Sequence, residues 1–185
     1  GTVTTSRDTL SATVTASITE GSGTLRATVS NRYGRARSVS IPVAIDGEAA
    51  RDFGIDASGV LTSYEGSSPD VTIPDTVTVI APSAFDKARQ VIRSVRIPAS
   101  VREIQADAFA STALTSVTFD DTRDYPSQLT TVGERAFAST ALTSIVLPGA
   151  VTTIGARAFD GAMSLTELEI PDSVQYSGGL ANTGL

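Results

Sequence analysis

The sequence predicts a mainly β protein: a solenoid of short parallel strands joined by short helical or 3-10 turns, with a small antiparallel β-sheet segment at its N-terminus. Three observations lead to this prediction. Residues 1–46 alternate apolar and polar side chains, an Ala-Phe pair recurs four times after residue 53, and an apolar-Pro pair recurs in step with it. Alternation is typical of half-buried strands, and repeats of roughly 20–50 residues are typical of stacked units.

Residues 1–50 are expected to form an antiparallel meander with one buried face. Apolar residues occupy alternate positions in 10–18 and 25–29, with turn residues between the two runs. Pro42 lies inside the last apolar run and indicates an edge strand, because proline donates no ladder hydrogen bond. The segment 24–39 resembles the closing hairpin of immunoglobulin-like domains, although such a sandwich needs about 100 residues and about seven strands. We therefore expect either a truncated sandwich or a small sheet that leans on the next region.

From residue 53 onward, self-similarity is the dominant feature of the chain. The Ala-Phe pairs are 24, 28 and 22 residues apart, and four stretches with L-x-x-L-x-L spacing end at Ile97, Phe119, Leu147 and Ile170. One such unit cannot bury its own apolar side, so the units are expected to stack and share one core. The L-x-x-L-x-L stretches should then form short parallel strands. On the opposite side we expect a buried column of Phe85, Phe109, Phe137 and Phe159.

A longer motif, I-P-x-x-V-x-x-I-x-x-x-A-F, is complete in 73–85, 97–109 and, with Leu first, 147–159. With this motif the chain resembles the leucine-rich repeats of BspA-like bacterial surface proteins. The lead-in 53–66 is similar to the short hairpin that begins such arrays, and the predicted solenoid domain is 51–176. The resemblance implies a curved solenoid with a strand-lined concave face. It also implies an exported protein used in adhesion or recognition at the cell surface.

Composition excludes several classes of function. The 185 residues include 14 Lys and Arg, 20 Asp and Glu, and neither His nor Cys. Without His and Cys, Ser–His and Cys–His nucleophile pairs, zinc sites and disulfides are excluded. A net charge of −6 argues against binding nucleic acid, and no apolar run approaches the roughly 18–20 residues that span a bilayer. We expect no enzymatic activity, no cofactor and no membrane span in this chain.

The first candidate site is the concave strand face. Residues on either side of the middle apolar position of each strand should point outward, because side chains alternate along a strand. The partner would be a protein or a glycan at the cell surface or in the host matrix. The predicted binding residues are Asp70, Thr72, Ser94, Arg96, Ser116, Thr118, Ser144, Glu167 and Glu169. The alternative is a passive stalk or spacer domain whose strand face is merely solvated.

The second candidate is an insertion in the third copy of the repeat. Leu129 follows Phe119 by 10 residues, whereas Val101 follows Ile97 by 4, so six extra residues form a loop. Insertions in solenoids lie on one face and often touch ligands. Three aspartates could hold calcium, but their spacing matches no EF-hand loop and Arg123 would act as an internal counter-ion. An ordinary acidic loop is the favoured interpretation.

The third candidate is the C-terminal segment 177–185. Its sequence L-A-N-T-G at 180–184 follows a Gly-Gly pair and resembles the sortase sorting signal of Gram-positive bacteria, with Ala181 in place of Pro. A sortase cuts between Thr and Gly, so the resemblance implies cleavage between Thr183 and Gly184 and attachment to the cell wall. The alternative is a plain linker. The expected location is extracellular, at the surface of a Gram-positive bacterium.

Overall fold

The structure, a computed structural model, describes residues 2–4, 11–17, 23–30, 36–43 and 52–174. The chain divides into two units, Gly1–Arg51 and Asp52–Leu185. Strands dominate the described part, with one 3-10 turn at Asp86–Ala88. Within that part, none of the helical structure has the length and apolarity to cross a membrane. The predicted fold class, a mainly β solenoid with a small antiparallel segment, is confirmed.

The N-terminal unit contains one antiparallel sheet among its described residues. Its strands, in spatial order, are β1 (Thr2–Thr4), β2 (Ser11–Ser17), β3 (Gly23–Ser30) and β4 (Ala36–Val43). The register places Ala12 opposite Val29 and Val14 opposite Ala27, so the alternating apolar positions of β2 and β3 coincide. Pro42 lies on β4, an outer strand of this sheet. The described strands include no second sheet of a sandwich, and the immunoglobulin-like resemblance stays a prediction.

The solenoid begins with the predicted hairpin and continues as a parallel sheet. The hairpin consists of β5 (Phe53–Ile55) and β6 (Val60–Tyr64). With strands numbered in chain order, the sheet continues through β8 (Val79–Ile80), β10 (Glu103–Ile104), β12 (Thr131–Val132) and β14 (Thr153–Ile154). Each register step pairs equivalent positions, as in Ile80 with Ile104 and Ile104 with Val132. These two-residue strands were not predicted, because two residues leave no alternation to detect.

The L-x-x-L-x-L stretches form a second set of parallel strands, as predicted. They are β7 (Asp70–Thr72), β9 (Ser94–Ile97), β11 (Ser116–Phe119), β13 (Ser144–Val146) and β15 (Glu167–Glu169). The first three form one sheet, whereas β13 and β15 form a separate two-stranded sheet. The interruption between β11 and β13 coincides with the insertion. The sheet on the other side of the solenoid continues without a break from β10 through β12 to β14.

An aromatic column passes through the core of the solenoid. The four predicted phenylalanines are completely buried, and successive ring centroids are 4.5, 5.3 and 5.6 Å apart. Tyr64 and Phe53 extend the column at 5.5 and 4.9 Å. Neither was predicted, because both lie outside the Ala-Phe pattern. Backbone hydrogen bonds between successive turns of the solenoid follow the same column. For example, Phe137 N–H donates to the carbonyl of Ala158 at 2.8 Å.

The turns that carry the phenylalanines use left-handed backbone at fixed positions. Two residues before each Phe, the backbone φ is 55–57° at Ser83, Asp107, Arg135 and Arg157. Two residues after Phe, it is 58° at Ser111, 55° at Ser139 and 73° at Gly161. Left-handed backbone is unfavourable for residues with a Cβ. Backbone hydrogen bonds between successive turns offset this cost. For example, Ser139 N–H donates to the Asp160 carbonyl at 2.7 Å.

Candidate functional site

The outward side of the second set of strands is named here the strand face. Its side chains were predicted to point away from the core, and the burial pattern agrees: Asp70, Thr72, Arg96, Ser116, Thr118, Ser144, Glu167 and Glu169 are exposed, and Ser94 is half-buried. The middle residue of each strand points inward, and Val95 and Ile145 are buried. Val146 is the apolar exception on this face, 57% exposed.

Register brings the predicted residues into two rows across β7, β9 and β11. Asp70, Ser94 and Ser116 form the first row, and Thr72, Arg96 and Thr118 form the second. Within the first row, Ser94 Oγ donates to Asp70 Oδ1 at 2.6 Å. On the separate sheet, Ser144 is opposite Glu167 and Val146 is opposite Glu169. The acidic pair therefore lies on the last described strand, beyond the interruption.

A cleft of about 500 Å³ lies between the two sheets of the strand face and is named here the central cleft. Strands β11 and β13 line it, together with Asp121 and Pro148 just beyond the strand ends. Four outward side chains contribute to its walls: Ser116, Thr118, Ser144 and Val146. Among the described residues no ladder joins β11 to β13. The facing strand edges therefore leave main-chain donors and acceptors available to a partner.

Asp120 replaces the proline that ends the strand in the other copies. Its N–H donates to the Ile97 carbonyl at 2.9 Å, a bond that proline cannot make. This bond extends the β9–β11 ladder and positions the Asp120 carboxylate next to β9. Arg96 Nε donates to Asp120 Oδ1 at 2.7 Å. The hydrogen bond and the negative charge of Asp120, with a smaller contribution from Asp75, raise the pKa of Arg96 above its ordinary value.

A second depression of about 320 Å³ lies beyond the carboxyl ends of β9 and β11 and is named here the rim hollow. Its lining includes Asp75, Arg96, Ser100, Asp120, Thr122 and Tyr125. The inserted loop supplies Tyr125, which is 76% exposed to solvent. Sequence reasoning selected Arg96 but not Tyr125. An aromatic residue in an insertion was the available signal, since tyrosine is enriched at binding interfaces.

Two aspartates of the inserted loop have separate partners. Asp120 binds Arg96, and Asp121 Oδ1 accepts the N–H of Ser127 at 3.0 Å. The counter-ion in this region is thus Arg96, not Arg123 as expected. Across the described part of the chain, no three acidic, His or Cys side chains converge in a manner suited to a metal ion. The arrangement gives no support to calcium binding by this loop.

The predicted sortase positions, Thr183 and Gly184, lie outside the described residues.

Comparison with known proteins agrees with the repeat assignment. Residues 63–181 match the model of the BspA type leucine-rich repeat region, in six copies. The pneumococcal vaccine antigen PcpA is similar in structure, with a TM-score of 0.55 and 21% identity over 99% of this chain and 42% of that chain. A leucine-rich cell surface protein of Faecalibacterium prausnitzii has a TM-score of 0.49 and 25% identity over 72% of this chain and 45% of that one. The chain thus spans less than half the length of either structure. A search of curated proteins gave no match.

The family model covers more than half of the chain. Its repeats coincide with the parallel strands, the buried phenylalanine column and the turns described above. The chain therefore belongs to the BspA-type leucine-rich repeat family.

Proposed function

We propose that this chain is a non-enzymatic recognition module of a bacterial cell-surface protein, and that it binds a polypeptide partner at the central cleft of its strand face. The partner would be another surface protein or a protein of the host matrix. Binding rather than catalysis is favoured because the sequence contains no His or Cys, the usual neutral-pH bases and strongest nucleophiles. An open strand face also lacks the deep, water-excluding pocket typical of enzymes.

Membership of the BspA-type family supports the surface location. PcpA, which shares the fold, is a pneumococcal vaccine antigen. Repeat solenoids commonly use their extended strand surfaces to bind other macromolecules. These points support a recognition module, and the choice of ligand class depends on the central cleft.

The central cleft is the observation that carries the proposal. Along it, the facing edges of β11 and β13 have no ladder partner among the described strands. The two strands approach to within 8 Å between Cα atoms, closer than the roughly 9.6 Å that a strand inserted between them would need. An extended polypeptide would therefore lie over the cleft and hydrogen-bond to its free main-chain groups, while adjacent side chains provide selectivity. Ser116, Thr118 and Ser144 add hydroxyl groups, and exposed Val146 adds an apolar contact. A cleft of about 500 Å³ accommodates a few residues of such a segment.

The direct test is a binding screen of the chain against extracellular-matrix proteins and a glycan array, with and without calcium. We expect a saturable protein partner whose binding is independent of calcium. Ser116→Arg and Thr118→Arg place bulky cations in the central cleft and should each lower affinity at least tenfold. Ser164→Arg is the matched control, because Ser164 is also exposed but lies in a turn outside the strand face. Thermal melting of all three variants establishes that they fold.

Two outcomes would overturn the proposal. Binding that survives both cleft substitutions would move the site elsewhere on the chain. Absence of any saturable partner would favour the stalk, for which the strand face serves only as a spacer surface.

Anchoring to the cell wall through Thr183 and Gly184 is a separable part of the proposal and rests on the L-A-N-T-G sequence. We expect Thr183→Ala in the full-length protein to release it from the wall fraction into the medium. Asn182→Ala is the control, since the middle position of the motif is variable. Retention of the Thr183→Ala protein in the wall fraction would rule out this route of attachment.

A further inference from the structure

The rim hollow differs chemically from the rest of the strand face. Within about 320 Å³ it combines an exposed aromatic ring, a guanidinium group, two carboxylates and hydroxyl groups. The other outward positions of the strand face carry mainly small hydroxyl and acidic side chains. Small-molecule sites have volumes of roughly 300–1,000 Å³. The rim hollow therefore has room for one small ring rather than for a polypeptide segment.

Its charged groups are already held in place. The 2.7 Å bond between Arg96 Nε and Asp120 Oδ1 orients the two side chains towards each other. The ladder bond from Asp120 N–H to the Ile97 carbonyl fixes the backbone beneath them. Within residues 52–174, the terminal nitrogens of Arg96 and the second carboxylate oxygen of Asp120 have no other hydrogen-bond partner. A ligand can therefore use these donors and this acceptor without breaking the pair.

The Tyr125 ring is presented on an ordered loop. Thr122 N–H donates to the Tyr125 carbonyl at 3.1 Å, and Tyr125 N–H donates to Thr122 Oγ1 at 3.1 Å. At the end of the loop, Gln128 N–H donates to the Ala99 carbonyl at 2.9 Å and ties it to the neighbouring copy. The backbone is thus constrained while the ring remains 76% exposed. An open aromatic face on a constrained backbone binds at a small entropic cost.

We propose that the rim hollow binds one neutral pyranose unit of a glycan. A pyranose has an apolar face of C–H groups, which packs against an aromatic ring, and hydroxyl groups around its edge that need donors and acceptors. Tyr125 supplies the ring, Arg96 supplies donors, and Asp120 with Asp75 supplies acceptors. Hydrogen bonds to charged groups are the stronger kind. This site is separate from the central cleft, so the inference stands whether or not a polypeptide binds there.

Charge selects a neutral sugar over an anionic one. Four aspartates lie in the hollow and its loop, at positions 75, 120, 121 and 124, against two arginines at 96 and 123, a net charge of −2. A uronic or sialic acid would meet this repulsion. A cationic ligand is also disfavoured, because Arg96 lies in the hollow and a single ring forms no aromatic cage.

The test is an NMR titration of the 15N-labelled chain with the methyl glycosides of glucose, galactose, mannose and N-acetylglucosamine. We expect saturable shifts at Arg96 and in the loop 120–126 with at least one of them, and a dissociation constant on the order of 1 mM, ordinary for one small ring. Methyl glucuronide, the matched anionic probe, should produce no saturable shift. Addition of EDTA should change nothing.

Variants assign the binding to the rim hollow. Tyr125→Ala should raise the dissociation constant at least tenfold, and Asp120→Asn should also weaken binding. Tyr125→Phe should retain it, because the ring face makes the contact. Met163→Ala, which removes an equally exposed apolar residue elsewhere, and Ser116→Arg in the central cleft should both bind as the parent does. The proposal is overturned if none of the four glycosides gives a saturable shift, or if Tyr125→Ala titrates like the parent.

Discussion

The rings of Phe109 and Phe137 stack with planes 1° from parallel and centroids 5.3 Å apart, although these two residues are 28 positions apart instead of 24 or 22. The extra residues leave the solenoid after β11 and return before Leu129, which is buried like its counterpart Val101. The core therefore keeps its repeat while the strand face is interrupted. This separation allows one copy to carry an inserted loop without loss of packing.

Removal of one ring from the column should be costly. Phe137 is completely buried between Phe109 and Phe159. Phe137→Ala should lower the free energy of unfolding by about 3–5 kcal/mol, because it leaves a cavity and removes two ring contacts. Urea denaturation measures the difference, and Tyr125→Ala is the matched control for loss of an exposed ring. A loss below about 1 kcal/mol would mean that the column does not stabilise the solenoid.

The sequence alone predicted the structural features that repeat along the solenoid. The phenylalanine column and the L-x-x-L-x-L strands follow from period and burial, since equivalent positions in stacked copies must meet. Tyr64 and Phe53 were missed because they cap the column without sharing its motif. The left-handed turn positions were missed because serine, aspartate or arginine occupies all but one of them, Gly161, in place of the glycine that would indicate them.

The candidate site was only partly predictable from the sequence. Alternation along each strand placed Ser116 and Thr118 on the outer side, where the structure has them. The central cleft depends on a ladder that fails to form between β11 and β13, and no local pattern encodes this. The Arg96–Asp120 pair joins positions 24 residues apart, and it can be predicted only when the register between β9 and β11 is known. Non-local pairings of this kind arise from stacking, not from the composition of either segment.

Alkaline pH should destabilise the solenoid through Tyr64. Burial raises the pKa of the Tyr64 phenol above its ordinary 10.0, and the charge of Asp52 raises it further. Because the folded-state pKa exceeds the unfolded one, this contribution to stability is complete below about pH 10 and is lost as pH rises through the folded-state pKa. Tyr64→Phe should make the unfolding free energy less dependent on pH between about 9 and 12.

Denaturation curves across that range test the assignment. Tyr125→Phe changes an exposed tyrosine and should leave the alkaline loss as in the parent. An equally steep loss in the Tyr64→Phe protein would assign the effect to other groups.

Deletion of residues 121–126 should close the central cleft. The step from Phe119 to Leu129 then has the same length as in the copies that pair, and Ser116 can lie opposite Ser144. New ladder hydrogen bonds between β11 and β13 should raise stability by about 1–3 kcal/mol at roughly 1 kcal/mol each. Binding at the cleft should be lost. Amide hydrogen exchange provides the readout, because the amides of β13 should become protected.

A same-length replacement of 121–126 by Gly and Ser is the control for this deletion. It retains the interruption and should leave the β13 amides exchanging at the parent rate. Unchanged exchange in the deletion variant would show that the insertion does not cause the break in the strand face.

Ser139→Gly should stabilise the solenoid. Ser139 has a φ of 55°, and its equivalent in the next copy is Gly161, at 73°. The left-handed conformation costs a residue with a Cβ about 1–2 kcal/mol, whereas glycine loses roughly 0.5–1 kcal/mol more backbone entropy on folding. The difference predicts a gain of between about 0 and 1.5 kcal/mol in the free energy of unfolding. Gly161→Ser should lower the free energy of unfolding, since a Cβ there would lie 2.9 Å from Ser139 Oγ.

Ser144→Gly is the control in extended backbone and should lower stability by about 0.5–1 kcal/mol. If Ser139→Gly also lowered stability, the serine side chain would have to contribute more than the strain that its backbone carries.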